Sequence, residues 1–212
     1  MRNSFLAAVM FAMLALGGCG DGDSAVVIAV DPTPFVASVL SDPLLDGDIE
    51  VGVSITTIRQ GNTQSVFVGR DPVTLSETRA FLDFPLTAIP LSAVVSSATL
   101  DFVVESLQPS GATVPVLVDL VSYPQPLLAV DFGGAFLATT TIVPPITSLD
   151  VGNHVAVNVT TLMQEAQRLG LPRFQVRLLQ GPGGTSTGLV QINDTTGIDR
   201  PARAPLLTVA YF

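Results

Sequence analysis

Short runs of Val, Ile, Leu and Thr alternate with polar residues along most of this chain, and Gly, Pro, Asn and Asp separate them. In Ser97 to Glu105, Ala98, Leu100, Phe102 and Val104 fall on one side, and Thr99, Asp101, Val103 and Glu105 on the other. His154 to Val159 sends Val155, Val157 and Val159 inward. Phe174 to Leu178 alternates apolar residues with Gln175 and Arg177, and Leu207, Val209 and Tyr211 form an inward set near the end. A period of two gives each strand one buried and one wet face, as in antiparallel sheets. The pattern predicts an all-β fold, an antiparallel sandwich. One segment departs from it. Thr161 to Leu169 places Leu162, Met163, Ala166 and Leu169 at helical spacing. Thr161 and Gln164 fit a capping box, and Gly170 and Pro172 are stop signals. This predicts one short helix across an open end of the sandwich. The Pro- and Gly-rich stretch from Ser122 to Ser148 reads as a long connection with one or two short strands.

The first residues follow a different rule. After Arg2, the run from Ser4 to Leu16 carries no charge. It is shorter than the about 20 apolar residues that span a bilayer, and a charged start before such a run reads as a secretory signal. Leu16-Gly17-Gly18 then leads into Cys19, the one cysteine of the chain. This resembles the lipobox of bacterial lipoproteins. The resemblance implies a diacylglycerol on the Cys19 thiol, cleavage before it, and acylation of the new amino group. Several acyl chains on one residue suffice for stable anchoring. Residues 1–18 are therefore expected to be a signal peptide, 19–34 a lipid-anchored tether and 35–212 the folded domain. The expected location is a membrane outside the cytoplasm. Gly20 after the cysteine, where an inner-membrane retention aspartate is absent, points to the outer membrane if the organism is Gram-negative.

Charge narrows the partners. Loss of Arg2 with the leader takes the formal charge from −9 to −10, and the chain has no lysine. Nucleic acid needs basic residues against its phosphates, so it is excluded as a partner. A polybasic contact with anionic lipid is excluded likewise. With Cys19 lipidated no disulfide is possible, and 194 residues are enough to build a core without one.

Three ordered blocks resemble the DNRLRE-type domain, a β-sandwich module of bacterial and archaeal surface proteins. The first is Arg79-Ala80-Phe81-Leu82-Asp83-Phe84, followed by Pro85 to Pro90 and Val95 to Leu100. The second is Val155 to Met163, with Asn158 where that family usually has aspartate. The third is Arg200-Pro201 to Tyr211, interrupted by Ala202, Arg203 and Ala204. Ser65 to Gly69 resembles the strand before the first block. The resemblance covers roughly Phe35 to Phe212 and implies a jelly-roll-like sandwich. Departures are the absence of tryptophan and an insert around Gly52 to Asn62. Members of that group include carbohydrate-binding modules and stalk or adhesin modules.

No catalytic constellation stands out, so the chain is expected to be no enzyme and to use no cofactor. His154 is the only histidine, and its strand position is outward. Arg79 and Asp83 share a strand face and suggest an ion pair at the sandwich edge. The acids Asp42, Asp46, Asp48 and Glu50 offer oxygen ligands for calcium, without the order of a dedicated calcium loop. The alternative is solvated turn aspartates. Gly181 to Gly188 lacks the Gly-Lys-Ser/Thr of a phosphate loop and reads as a loop between strands. Arg59, Arg70, Arg177 and Tyr123 are the candidates for ligand binding, with acidic sugars the matching chemistry. The expected function is a lipid-anchored, non-catalytic envelope module that binds extracellular polysaccharide, or alternatively contacts other envelope proteins. An exposed groove of arginines with Tyr123 favours glycan. An apolar exposed face or an open edge strand favours protein. Two carboxylates converging in a cleft favour an enzyme.

Overall fold

The alternations become strands in a computed structural model that describes residues 33–184 and 187–212. Among those residues the strands are β1 (Phe35–Leu40), β2 (Gly47–Val51), β3 (Thr56–Gln60), β4 (Gln64–Arg70), β5 (Glu77–Pro85) and β6 (Val95–Gln108). They continue with β7 (Val116–Val121), β8 (Ala138–Thr141), β9 (His154–Asn158), β10 (Arg173–Gln180), β11 (Gly188–Asp194) and β12 (Leu206–Tyr211). The helices are α1 (Thr160–Arg168) and the single turn α2 (Arg200–Arg203), so a second helical turn accompanies the one expected. The stretch from Ser122 to Ser148 holds β8 and a 3₁₀ turn at Ala129–Gly133.

Every pairing between these strands is antiparallel. One layer runs β1-β12-β6-β9, and the other runs β6-β11-β4-β5-β10-β7-β8, with the β2–β3 hairpin added on β5. The long strand β6 belongs to both. Its residues up to Val103 pair with β12 and β9, and Val104 to Gln108 pair with β11. Register shifts between Gln191 and Ile192, and between Ala210 and Tyr211, mark irregularities beside it. Such bulges bend strands, and here the sheet curls over its own interior. The result is an all-β, jelly-roll-like antiparallel sandwich.

The expected inward set of β6 is buried: Ala98, Leu100, Phe102 and Val104 lie in the main core with Phe84, Phe174 and their neighbours. Each Val, Leu or Phe side chain among them contributes about 1.5–3 kcal/mol when fully buried. Val155, Val157 and Val159 are inward as the alternation requires, and Tyr211 is partly buried against the core. Between β4 and β11 the backbones approach closely. A Cβ at Gly69 (φ +121°) would sit 2.0 Å from the Gly188 carbonyl oxygen, so that position admits only glycine.

Helix α1 buries Leu162, Met163 and Ala166 and packs on β6 from one layer and on β7, β8 and β10 from the other, across the end of the sandwich. Its cap differs from expectation. Asn158 Oδ1 accepts from the Thr160 amide at 3.0 Å, and the Gln164 side chain donates instead to the Val95 carbonyl at 3.0 Å. Leu169, expected on the buried face, is the exposed C-terminal cap. Gly170 (φ +65°) then ends the helix in the left-handed region.

The largest departure concerns β10. Gln175 and Arg177 are buried, because the outer face of the second layer is also covered. There Ile49, Phe81, Val121, Tyr123 and Leu127 form a second apolar cluster, with Phe132 against it. The connection after β7 therefore folds back over the sheet instead of running through solvent.

Candidate functional site

The residues proposed for ligand binding do not meet. Tyr123 is buried, its ring edge-on to Phe81 at 5.5 Å, and its backbone amide donates to Gln175 Oε1 at 3.1 Å. Arg177 is buried as well. Its Nη2 donates to Asp119 Oδ2 at 2.7 Å, and Nη1 donates to the carbonyls of Asp131, Phe132 and Gly134 at 3.2, 3.1 and 2.8 Å. It pins the Ala129–Gly133 turn to the sheet. Arg59 is partly exposed, but both Nε and Nη2 lie 2.7 Å from Asp48 Oδ1, and its guanidinium rests 5.1 Å from the Phe67 ring centre. Arg70 alone of the four is exposed, donating from Nε to the Leu75 carbonyl at 3.1 Å.

The four acids proposed for calcium also part company. Asp42 Oδ2 receives Arg173 Nη2 at 3.0 Å. Asp48 pairs with Arg59, and Glu50 accepts the Ser76 hydroxyl at 2.6 Å. Asp46 Oδ1 accepts the Asp83 amide at 2.8 Å. Asp46 and Asp48 are fully buried, so the solvated-turn alternative fails for them. Among the described residues, no group of three or more His, Cys, Asp or Glu is placed to hold a metal ion. Arg79 and Asp83 do not pair with each other. Arg79 holds Glu77 at 2.7 Å and stacks 4.0 Å from the Phe132 ring centre, while Asp83 pairs with Arg173.

In their place the fold assembles a buried polar cluster. Asp83 Oδ2 accepts from Gln125 Nε2 at 3.0 Å and Gln175 Nε2 at 2.9 Å. Gln60 joins it, donating to Gln125 Oε1 at 2.7 Å and accepting the Leu127 amide at 2.9 Å. Beside it Asp194 accepts the Thr63 hydroxyl at 3.2 Å and faces Arg200 Nη1 at 3.5 Å. Burial, and next the charge of Asp194, hold the Asp46 carboxyl well above the usual carboxylate range. Burial raises Asp194 too, against the opposing charge of Arg200. Asp46 Oδ2 has no hydrogen-bond partner, which fits a carboxyl held in its protonated form by burial and by the charge of Asp194. Burial also lifts Asp48 to about 6, against the pull of Arg59. Asp46, Asp83 and Asp194 have no exposed surface. Catalytic carboxylates must reach a substrate from a cleft, so this geometry holds loops together and does not present acid and base to a ligand.

Arg173, Asp119 and Asp194 were not among the residues singled out by sequence, and Arg200 was named only as the start of the third resemblance block. Arg177 and Asp119 are cross-strand partners, as are Gln175 and Asp83. Like signals become visible once strand neighbours are known, and opposite polar residues on adjacent strands are then the clue. His154 is exposed as expected, its Nδ1 2.5 Å from Asp101 Oδ1.

An open cleft of about 430 Å³ lies between the β2–β3 turn and the β4–β5 loop, and a smaller one of about 250 Å³ is lined by Tyr123, Asp131 and Leu137. The polar side of the larger holds Glu50, Thr57, Thr74 and Ser76, and its rim Val53 and Ile55. Cys19 and the segment expected to be a signal peptide lie outside the described residues, and among those described no helix is long and apolar enough to cross a membrane.

No family model matches the chain, and no curated protein does. Solved structures to which it is similar include infectious bursal disease virus Gx strain, at 14% identity and a TM-score of 0.25. The Gt strain structure follows at 11% identity and a TM-score of 0.17. In each case 91% of this chain is covered and 41% of the viral chain, so the protein spans about two-fifths of their length. Such low TM-scores leave function to be argued from this chain's own geometry.

Proposed function

We propose that this protein is a lipid-anchored cell-envelope protein, exported and held at Cys19, whose sandwich is a non-catalytic module that contacts other envelope proteins. The observation that carries the contact role is the contrast between its inner cations and its open edge. Arg59, Arg79, Arg173, Arg177 and Arg200 are each engaged with acids or carbonyls of the chain itself. Among the described residues, strand β1 has only β12 as a strand partner, and Phe35 and Val36 on it are exposed. An unpaired apolar edge is a template for a strand from another chain. The DNRLRE resemblance supports the module reading. Its first block falls on β5 and the start of β6, its second on β9 entering α1, and its third on α2 and β12.

Two experiments test this. Cys19→Ala abolishes incorporation of labelled fatty acid in cells, and persistent labelling would remove the anchor from the proposal. A photo-crosslinking residue at position 36 yields a discrete protein adduct in intact cells, while one at the exposed position 149 yields none. Absence of an adduct at position 36 sinks the contact role.

Extracellular polysaccharide is the second reading. The hydroxyls of Thr57, Thr74 and Ser76 beside Glu50 in the open cleft favour it, since such groups donate to and accept from sugar hydroxyls. A glycan array with residues 19–212 decides: saturable binding to one polysaccharide class supports it, and a blank array rejects it.

A further inference from the structure

The β2–β3 turn and the β4–β5 loop stand side by side, tied by the Ser76 hydroxyl on Glu50. Gly52 lies 3.8 Å, measured from its ideal Cβ position, from the Ser76 Cβ. Their tips are aliphatic. Val53 is 100% exposed, Val73 88%, Ile55 72% and Leu75 52%. Val53 and Ile55 line one cleft with Thr74 and Ser76, so exposed aliphatic residues stand on two adjoining loops, the mark of a contact surface. The backbone holds these side chains out by construction. Asp71 Oδ1 accepts the amides of Val73 and Thr74, each at 2.7 Å, and the Asp71 amide donates to the Ser76 carbonyl at 2.9 Å. Leu75 sits at φ +60°, a region that a bulky residue rarely adopts and that glycine enters freely. A loop built only to connect two strands would place glycine there. This one holds a half-exposed leucine in strain.

We propose that these two loop tips are a membrane-contacting surface, dipping Val53, Ile55, Val73 and Leu75 into the headgroup–acyl boundary of a bilayer. Charge around the tips fits a lipid surface. The nearby carboxylates are occupied: Asp71 by loop amides, Glu50 by Ser76 and Arg59, and Glu77 by Arg79. Arg70 is exposed beside Leu75, where its guanidinium meets lipid phosphate. Protruding aliphatic tips flanked by a cation suit an interface whose depth is apolar and whose surface carries phosphate. A stable protein partner instead needs about 800 Å² on each side, well beyond four side chains on two loop tips. The chain's net negative charge makes a zwitterionic bilayer the favoured one.

The proposal goes beyond protein contact at β1 and does not depend on acylation of Cys19. Its test uses residues 19–212 with Cys19→Ser, so that no acyl chain is present, and sucrose-loaded phosphatidylcholine vesicles. The protein co-sediments saturably with the vesicles. The double variant Val53→Asp, Val73→Asp lowers the partition coefficient at least about tenfold, the loss expected from two exposed valines. A control pair, Val143→Asp and Leu149→Asp, exposed elsewhere, leaves it unchanged. In the same background Val53→Cys is the sole thiol, and an environment-sensitive dye attached there shifts to the blue on vesicles. Circular dichroism checks that each variant is folded. The proposal is overturned if folded protein does not sediment with vesicles, if the control pair loses as much as the tips, or if the dye does not shift.

Discussion

At one end of β5, around Asp83, the side chains off the core face are acids, amides and arginines, and none of the three aspartates there has exposed surface. Past the other end, beyond Glu77, aliphatic side chains stand in solvent. The same sheet thus buries charge at one place and exposes hydrocarbon at another. The buried end is closed: donors and acceptors of Asp42, Asp83, Gln60, Gln125, Gln175 and Arg173 satisfy one another. The exposed end has unspent contacts and a strained backbone that keeps them so. Burial of a polar group therefore argues here for structure, and exposure of an apolar one for contact with something outside the chain.

The comparison can be broken most forcefully at its buried side. Arg177→Met leaves Asp119 buried without its cation and strips donors from three carbonyls. The expected loss is about 3–5 kcal/mol, read from the midpoint of urea unfolding. A loss near zero would mean that the connection after β7 does not depend on this pin. Asp46→Asn tests the protonation of Asp46. Because the native Asp46 carboxyl binds its proton more tightly than the unfolded one, its contribution is full below about pH 4 and fades as pH rises through the raised native value. Asp48 adds the same trend between about pH 4 and its native value of about 6. The wild type therefore loses stability from pH 4 toward 8. The asparagine variant keeps the acceptor for the Asp83 amide, flattens that slope, and is the more stable protein at pH 8. Unfolding midpoints at pH 4, 6 and 8 check the sign, and an unchanged slope would place the proton elsewhere. On the exposed side the expected effect is smaller. Leu75→Gly relieves the left-handed strain and raises stability by up to about 1 kcal/mol, while weakening vesicle binding. A variant both less stable and equally bound would show that the leucine serves packing.

Much of the core was legible in the chain. The alternations of β6, β9 and β12 name most of the buried residues, because those strands turn one face to the interior; Val103, read as outward, is buried as well, and Tyr211, read as inward, is only partly buried. The same rule misread β10, since Gln175 and Arg177 lie under the connection after β7. Tyr123 and Phe132 in that connection were the available signal: apolar side chains in a Pro- and Gly-rich stretch need a surface to cover. The polar cluster was not legible. Asp46 and Asp194 lie on β2's approach and on the end of β11, and only the curl of the sheet brings them together. Asp42, Asp46, Asp48 and Glu50 were grouped as calcium candidates or solvated turn acids; Asp48 and Glu50, on one face of β2, share Arg59, whereas Asp42 and Asp46 in the turn before it go to Arg173 and the Asp83 amide. The tips of the β2–β3 and β4–β5 loops carried a signal too, as valine, isoleucine and leucine in turns, but their adjacency is a product of the fold.

The pairing of β1 with β12, Phe35 opposite Tyr211, sets how the module answers to pulling. The two ends of the described domain emerge side by side from one antiparallel ladder. A force drawing residues 33 and 212 apart acts across that ladder, and opens it one bonded pair at a time from Phe35 toward Leu40. Load applied this way meets the resistance of single hydrogen bonds, whereas load along the strands would meet all of them at once. Tension between its two ends would thus peel β1 away first and expose the edge of β12, while β6, clamped in both layers, would be among the last to yield.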